Sequence, residues 1–137
     1  MIVLLDTDLL IDVALDRAPH AEPAARLLDA LEVRPGRAFI AWHSAANFYY
    51  LVSPLRGKGD ARAFLADLTR FVDIAPATTA GLRLAAGLPM KDFEDAMQVA
   101  AALACGAGVI ATRNVRDYAR GPVRAATPRT LLDEVIS

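Results

Sequence analysis

Short apolar runs alternate along this chain with longer segments of helical spacing. Residues 2–5 are uninterrupted apolar positions that end at Asp6, which is typical of a strand buried on both faces. In residues 21–33, by contrast, leucines recur every three or four positions, which gives a helix with one apolar face. The pattern therefore predicts strands and helices in alternation.

The same reasoning along the whole chain predicts an α/β fold. Strands are predicted over residues 2–5, 38–42, 71–75, 109–112 and 123–127. Helices are predicted over residues 8–16, 21–33, 43–53, 60–70, 78–87, 92–105 and 129–136. We expect Pro54 to end the third helix and residues 56–59 to form a loop. Strands that alternate with helices indicate a parallel sheet between two layers of helices.

Size and composition narrow the class of protein. A chain of 137 residues fits one domain, and no apolar run reaches the roughly 18 residues that span a bilayer. The N-terminus lacks the basic residues of a signal peptide, so we expect a cytoplasmic protein. The single cysteine excludes an intrachain disulfide and a cysteine zinc cluster. A net charge of −1 argues against binding of nucleic acid over the whole surface, but it leaves room for a local basic patch.

Carboxylates follow two of the predicted strands. Asp6 ends the first strand and Asp8 comes two residues later, while Asp117 follows the fourth strand. Asp92 and Asp95 begin the long helix that precedes the fourth strand. Because right-handed crossovers bring the carboxyl ends of parallel strands to one edge of the sheet, where ligands bind, we expect these acids to meet there.

These acids have two interpretations. Closely spaced carboxylates repel one another, and Mg²⁺ or Mn²⁺ relieves the repulsion while activating water for phosphate hydrolysis. Alternatively, Asp6 and Asp8 cap the first helix, and Asp92 and Asp95 have the spacing of a capping box. For Asp92 the capping interpretation is favoured, and Glu94 is expected to point into solvent.

Neighbouring residues have simpler expected roles. We expect four aromatic residues to form contacts in the core or between two copies of the chain, rather than to stack on bases: Trp42, Phe48, Tyr49 and Tyr50. His43 is expected to hydrogen-bond near the start of its helix.

Three segments of the chain resemble PIN domains. Residues Leu4–Asp12 resemble their opening strand and turn, Asp92–Gln98 their later acidic helix, and Ile110–Tyr118 the strand and loop that follow. The order and spacing match over nearly the whole chain, and the second and third segments together are the most specific. The resemblance implies a single PIN-like domain over residues 1–137, with three α/β/α layers around a central parallel sheet of about five strands.

The resemblance also implies an activity and partners. PIN domains of this kind cleave RNA phosphodiester bonds with Mg²⁺ or Mn²⁺. Small prokaryotic members are often VapC-type toxins of type II toxin–antitoxin pairs, commonly homodimers held inactive by an antitoxin. The expectations are therefore a metal-dependent endoribonuclease, an RNA substrate, an antitoxin partner and a homodimer.

Roles carry over to this chain position by position. Asp6, Asp95 and Asp117 would be the catalytic, metal-binding acids, with Asp92 as a further candidate ligand. The residues expected to support this site are Asp8, Asn47, Thr112 and Asn114. The residues expected to contact RNA are Lys91, Arg113 and Arg116, with Arg56 and Lys58 as further candidates for phosphate contacts.

One position departs from the family pattern. Asn47 stands on the helix after the second strand, where PIN nucleases often carry an acid. An amide oxygen can bind a hard cation but brings no negative charge, so metal affinity should fall. The alternative function is therefore a catalytically weak or inactive PIN fold that binds RNA or protein.

Two further classes remain as rival hypotheses. The sequence Asp6-Thr7-Asp8 resembles the start of haloacid-dehalogenase phosphatases, but the later acids fit that class poorly and its chains are usually longer. A structural subunit whose acids serve only as helix caps is the other rival.

Overall fold

Five parallel strands form the centre of the computed structural model, which describes residues 1–136. The strands are β1 (Val3–Leu5), β2 (Ala38–Ile40), β3 (Val72–Ile74), β4 (Val109–Ala111) and β5 (Arg124–Ala126). They lie in the order β3-β2-β1-β4-β5, and every neighbouring pair is parallel. The predicted five-stranded parallel sheet is confirmed.

Helices connect the strands and cover both faces of the sheet. They are α1 (Thr7–Ala14), α2 (Ala21–Glu32), α3 (Trp42–Arg56), α4 (Lys58–Leu68), α5 (Thr79–Gly87), α6 (Phe93–Cys105) and α7 (Pro128–Ile136). A short 3₁₀ helix over Val115–Tyr118 follows β4 and was not predicted, because four residues are too few to show a hydrophobic period.

The core lies on both sides of the central strand. All three residues of β1 are fully buried, and successive side chains of a strand point to opposite faces. Val3 and Leu5 pack in the larger core cluster with residues of α1, α2 and α7, whereas Leu4 packs in a second cluster that includes Val99 of α6. The three-layer α/β prediction is therefore confirmed.

The region around α3 corrects two predictions. Trp42 begins α3 instead of ending β2, and α3 continues past Pro54 to Arg56. A proline in the last turn removes one backbone donor without stopping the turn, and the Gly57 N–H still bonds the Ser53 carbonyl at 2.8 Å. The helix ends at Gly57, whose φ of +93° favours glycine, and α4 begins at the next residue. Residues 56–59 are therefore a helix junction and not a loop.

Within residues 1–136, no helix is long and apolar enough to cross a membrane.

Candidate active site

Asp6 is a buried carboxylate at the carboxyl end of β1, and it accepts hydrogen bonds from three other segments of the chain. Its Oδ2 accepts from Thr112 Oγ1 at 2.8 Å and from the Tyr118 hydroxyl at 3.2 Å. Its Oδ1 accepts from Gln98 Nε2 at 3.3 Å. The backbone of Asp6 occupies the N-cap position of α1, but the side chain makes no capping bond. The helix-cap interpretation is therefore wrong for this carboxylate.

Tyr118 joins Asp6 to Asp95. Its hydroxyl lies 3.2 Å from Asp6 Oδ2 and 3.3 Å from Asp95 Oδ1, and the side chain is only 2% exposed. Burial raises the pKa of this phenol, so the hydroxyl keeps its proton. One hydroxyl donates a single hydrogen, which can satisfy only one of the two carboxylates at a time. The structure thus brings together two acids that are far apart in sequence.

Gln98 of α6 contacts Asp6 from the interior of the protein. Its side chain is fully buried, and Nε2 also approaches Thr7 Oγ1 at 3.1 Å and Ser44 Oγ at 2.9 Å. The Thr7 hydroxyl in turn donates to Ser44 Oγ at 2.8 Å. These bonds join α1, α3 and α6 under the carboxylate. Gln98 was not among the predicted site residues, although a lone amide within the apolar stretch of α6 is a visible signal in the sequence.

Three of the predicted supporting residues are joined by hydrogen bonds beside Asp6. Thr112 Oγ1 accepts from the Asn114 N–H at 3.0 Å, and Asn114 Nδ2 donates to Asp8 Oδ2. The Asp117 N–H donates to the Asn114 carbonyl at 3.0 Å. The Asp117 side chain is exposed on the 3₁₀ helix, yet its charge contributes to the raised pKa of Asp95.

The start of α6 contains one confirmed prediction and one error. Asp92 caps the helix, because its Oδ1 accepts from the Asp95 N–H at 3.1 Å. Glu94 does not point into solvent: it is half-buried, and its Oε2 lies 3.5 Å from His43 Nε2. Glu94 and Gln98 are four residues apart and therefore share the helix face that meets Asp6.

The acids at this edge hold their protons more tightly than isolated carboxyls do. Burial raises the pKa of Asp6 to about 6, and burial also raises the pKa of Asp95 to about 7. The charges of neighbouring acids, Glu94 among them, raise both values further. Burial likewise raises the pKa of Asp8. Asp6 and Asp95 thus form a cluster of negative charge, whereas the charge of Arg113 partly offsets the rise at Asp8.

The available oxygens fit a hydrated hard cation. No group of three or more His, Cys, Asp or Glu side chains converges closely enough in residues 1–136 to hold a metal ion. Mg²⁺, however, is usually held by one or two carboxylates and keeps several waters. Asp6 and Asp95 supply such a pair, and the buried oxygens Glu94 Oε2 and Gln98 Oε1 accept no hydrogen bond in the described part of the chain. The residues present therefore suit Mg²⁺ or Mn²⁺ with water in its coordination shell.

The remaining candidate residues have diverse surroundings. Asn47 lies half-buried on α3, one turn after His43. Arg113 is engaged by protein, since its Nε lies 2.9 Å from Oδ2 of the buried Asp12. The predicted RNA contacts Lys91 and Arg116 are exposed.

The two candidates for phosphate contacts lie at the junction of α3 and α4. Arg56 donates to the Ala14 carbonyl and lies 3.9 Å from Asp60, which leaves it joined to protein groups. Lys58 is exposed.

Comparison with known structures supports the fold assignment. A chain of the crystal structure of VapBC2 from Rickettsia felis, bound to a DNA fragment from the promoter, superposes with a TM-score of 0.70 and 17% identity, covering 93% of this chain and 98% of that one. VapC20 of Mycobacterium tuberculosis, described as a toxin that cleaves the Sarcin-Ricin loop, superposes with a TM-score of 0.64 and 17% identity, covering 79% and 86%. At 17% identity, these comparisons show that the chain shares the fold of both proteins.

Comparison of sequences identifies the family. No curated protein matches the chain. The family model for the PIN domain matches residues 2–116, which include β1, α6 and β4 with all the acids discussed above except Asp117. The chain therefore belongs to the PIN-domain family.

Proposed function

We propose that this protein is a Mg²⁺- or Mn²⁺-dependent endoribonuclease that cleaves RNA phosphodiester bonds, and that it is the toxin of a type II toxin–antitoxin pair. The observation that carries the proposal is the juxtaposition of Asp6 and Asp95 about the Tyr118 hydroxyl at the carboxyl edge of the sheet. Membership of the PIN-domain family and the similarity in fold to toxins such as VapC20 support it.

The proposed chemistry assigns distinct tasks to the residues of the site. Asp6 and Asp95 would hold the cation, with Asp117 as a third acid at the rim. When bound, the cation would lower the pKa of a water molecule and stabilise charge on the scissile phosphate. Gln98 and Thr112 fix the orientation of the Asp6 carboxylate by direct hydrogen bonds, as residues behind metal ligands commonly do. Asp92 serves mainly as the cap of α6.

The basic residues at the rim would guide the RNA backbone. Lys91 and Arg116 are exposed at the edges of the two acid-bearing segments, so they are the proposed phosphate contacts. Arg113 would act mainly through its pair with Asp12, which fixes the loop after β4 on α1.

An antitoxin and a second copy of the chain are the proposed protein partners. Support comes from exposed apolar side chains on α3, where Tyr50, Leu51 and Leu55 are each more than half exposed. Leu51 and Leu55 are one helical turn apart and therefore share a face, and exposed apolar faces often mark a protein interface. Light scattering of the purified protein will show whether it is a homodimer.

The test of the nuclease proposal is cleavage of labelled single-stranded RNA by purified protein, with Mn²⁺ or Mg²⁺ and with a chelator. We expect cleavage that requires metal, is abolished in Asp6→Asn and Asp95→Asn, and persists in Asp67→Asn, which alters an exposed acid on α4. Cleavage that is unaffected by Asp95→Asn would reject the site, and cleavage in chelator would reject the role of the metal.

The alternative is a PIN fold that binds RNA or protein without cleaving. The presence of Asn47 in place of an acid favours it. This hypothesis predicts no metal binding at millimolar concentration and no cleavage of any RNA.

A further inference from the structure

A cavity of about 240 Å³ lies beside the carboxylates and takes no part in the chemistry proposed above. Four parts of the chain surround it: the start of α3, the segment that follows β3, the helix α5 and the helix α6. We call it the side pocket; its walls include Trp42, His43, Pro76, Leu82, Met97 and Ala101. Pockets for drug-sized ligands usually begin at about 300 Å³, so this one suits a single small planar group.

The walls of the side pocket are almost entirely apolar. The polar side chains among them are His43 and Thr78, and Thr78 Oγ1 is already used to cap α5 through the Gly81 N–H at 3.0 Å. Trp42 is 64% exposed and Leu82 is 53% exposed, so two large apolar side chains face solvent at the pocket. Trp42 is thus outside the core of the single chain, in contrast to the fully buried Phe48, and its expected alternative role as a contact between two copies stays a prediction.

The side pocket and the acid site are neighbours at His43 and along α6. His43 lines the pocket, while its Nε2 lies 3.5 Å from Glu94 Oε2, and neither atom makes a hydrogen bond within the described residues. Glu94 and Gln98 of α6 face Asp6, whereas Met97 on the same helix faces the pocket. The acids and the pocket therefore lie on adjoining faces of α6, with His43 between them.

We propose that the side pocket binds one nucleobase of the RNA substrate, stacked against Trp42, beside the phosphate that is cleaved. The proposal rests on the nuclease function proposed above. A nucleobase is flat and uncharged, and it is covalently joined to a phosphate, which matches an apolar pocket that adjoins a cation-binding edge. Aromatic side chains are the usual platforms for unpaired bases. A protein partner would instead need a wide complementary surface of about 800 Å².

The sequence provides its own reporter for this site. Trp42 is the only tryptophan in the chain, so its fluorescence reports on the side pocket alone. The probes are the four ribonucleosides, which carry no phosphate, titrated in the presence of a chelator and excited where bases absorb little. We expect at least one nucleoside to quench Trp42 in a saturable way at millimolar concentration.

A pair of leucine variants supplies the matched comparison. Leu82 and Leu84 are both exposed on α5, but only Leu82 lines the side pocket. We expect Leu82→Glu to weaken nucleoside binding about tenfold, because a base would lose an apolar contact, and Leu84→Glu to leave it unchanged. If circular dichroism shows that Leu82→Glu is unfolded, Leu82→Ala takes its place, with a several-fold weakening expected.

The outcomes show separately whether the base-binding proposal or the nuclease proposal fails. Saturable quenching that responds to Leu82 alone, without any RNA cleavage in Mg²⁺ or Mn²⁺, would support the pocket and reject the nuclease. Cleavage of RNA without quenching by any nucleoside would overturn the pocket and retain the nuclease. Equal effects of both leucine variants would also overturn it. So would a dimer, seen by light scattering, in which iodide reaches Trp42 only after dilution, since a second copy would then cover the pocket.

Discussion

At the scale of single residues, the main feature of the site is a shared hydrogen bond. Asp6 and Asp95 both lie within hydrogen-bonding distance of the Tyr118 hydroxyl, which has one hydrogen to give. Thr112 and Gln98 supply further donors to Asp6 but none to Asp95. The balance of charge at this pair therefore depends on the phenol of Tyr118, which was not among the predicted site residues.

Tyr118→Phe tests the phenol, because it removes the hydroxyl and keeps the buried ring. We expect the free energy of unfolding of metal-free protein to fall by about 2 kcal/mol at neutral pH, the usual net contribution of a hydrogen bond to a charged group. Urea denaturation of both proteins measures this change. Tyr49→Phe, at a half-buried position on α3, is the control. Equal stability of the Tyr118 variant and wild type would show that the hydroxyl does not stabilise the acids.

At the scale of elements, the loop after β4 is fastened to α1 by two polar contacts. Arg113 Nε lies 2.9 Å from Asp12 Oδ2, and Asn114 donates to Asp8. Asp12 is 1% exposed, and Arg113 is the nearer of the two arginines beside its carboxylate, since Arg17 lies 3.9 Å away. These contacts fix the segment that carries Asp117 and Tyr118.

The contribution of the buried pair to stability can be compared with that of an exposed ion pair elsewhere in the chain. Asp12→Ala should cost about 2 kcal/mol of stability, since it leaves the partly buried Arg113 without its partner. Asp60→Ala removes a pair with Arg56 in which both side chains are more than half exposed, and it should cost about 0.5 kcal/mol or less. Thermal or urea unfolding measures both values. A cost for Asp12→Ala as small as that for Asp60→Ala would contradict the structural role of the pair.

The elements themselves show which parts of the molecule were predictable from sequence. The α6 helix was predicted well, because Asp92 and Gly106 mark its ends with a side-chain cap and a left-handed glycine. The end of α3 was predicted wrongly at Pro54, because a proline in a last turn costs too little to stop it. The approach of Asp6 to Asp95 followed from parallel topology, which fixes where strands end.

Side-chain directions were harder to predict than positions. Glu94 was expected in solvent, but its Oε2 lies 3.5 Å from Nε2 of His43 at the start of α3, a contact that the spacing of residues within α6 does not reveal. Tyr118 and Gln98 reach Asp6 across long stretches of sequence, and no local periodicity carries that information. Tertiary packing, which a single sequence does not display, decides these contacts.

At the scale of the whole molecule, the acid site should reduce stability unless its charge is neutralised. The pKa of Asp6 is raised to about 6 and that of Asp95 to about 7, from an ordinary value of 3.8. At a pH between the ordinary value and the raised values, the folded chain therefore keeps protons on these two carboxyls that the unfolded chain has already released. The contribution of these two groups to the free energy of unfolding is therefore fully present below about pH 4, and it is lost as the pH rises to about 7.

Thermal melting across this pH range checks the effect. We expect the Tm of metal-free wild type to fall between pH 5 and pH 8 by a few degrees more than that of Asp95→Asn, which lacks one of the titrating groups. Added Mn²⁺ should raise the wild-type Tm most at the higher pH, where both acids are ionised. A Tm difference between the two proteins that is independent of pH would contradict the raised pKa values.

The most direct test of the central claim, that Asp6 and Asp95 together hold a divalent cation, is calorimetric titration of the protein with Mn²⁺. The proteins to compare are wild type, Asp95→Asn and the control Asp67→Asn. We predict saturable binding by wild type and Asp67→Asn, weakened by at least about tenfold in Asp95→Asn, since even residues behind metal ligands commonly contribute that much. Absence of binding by wild type at millimolar Mn²⁺, or equal affinity in all three proteins, would contradict the claim.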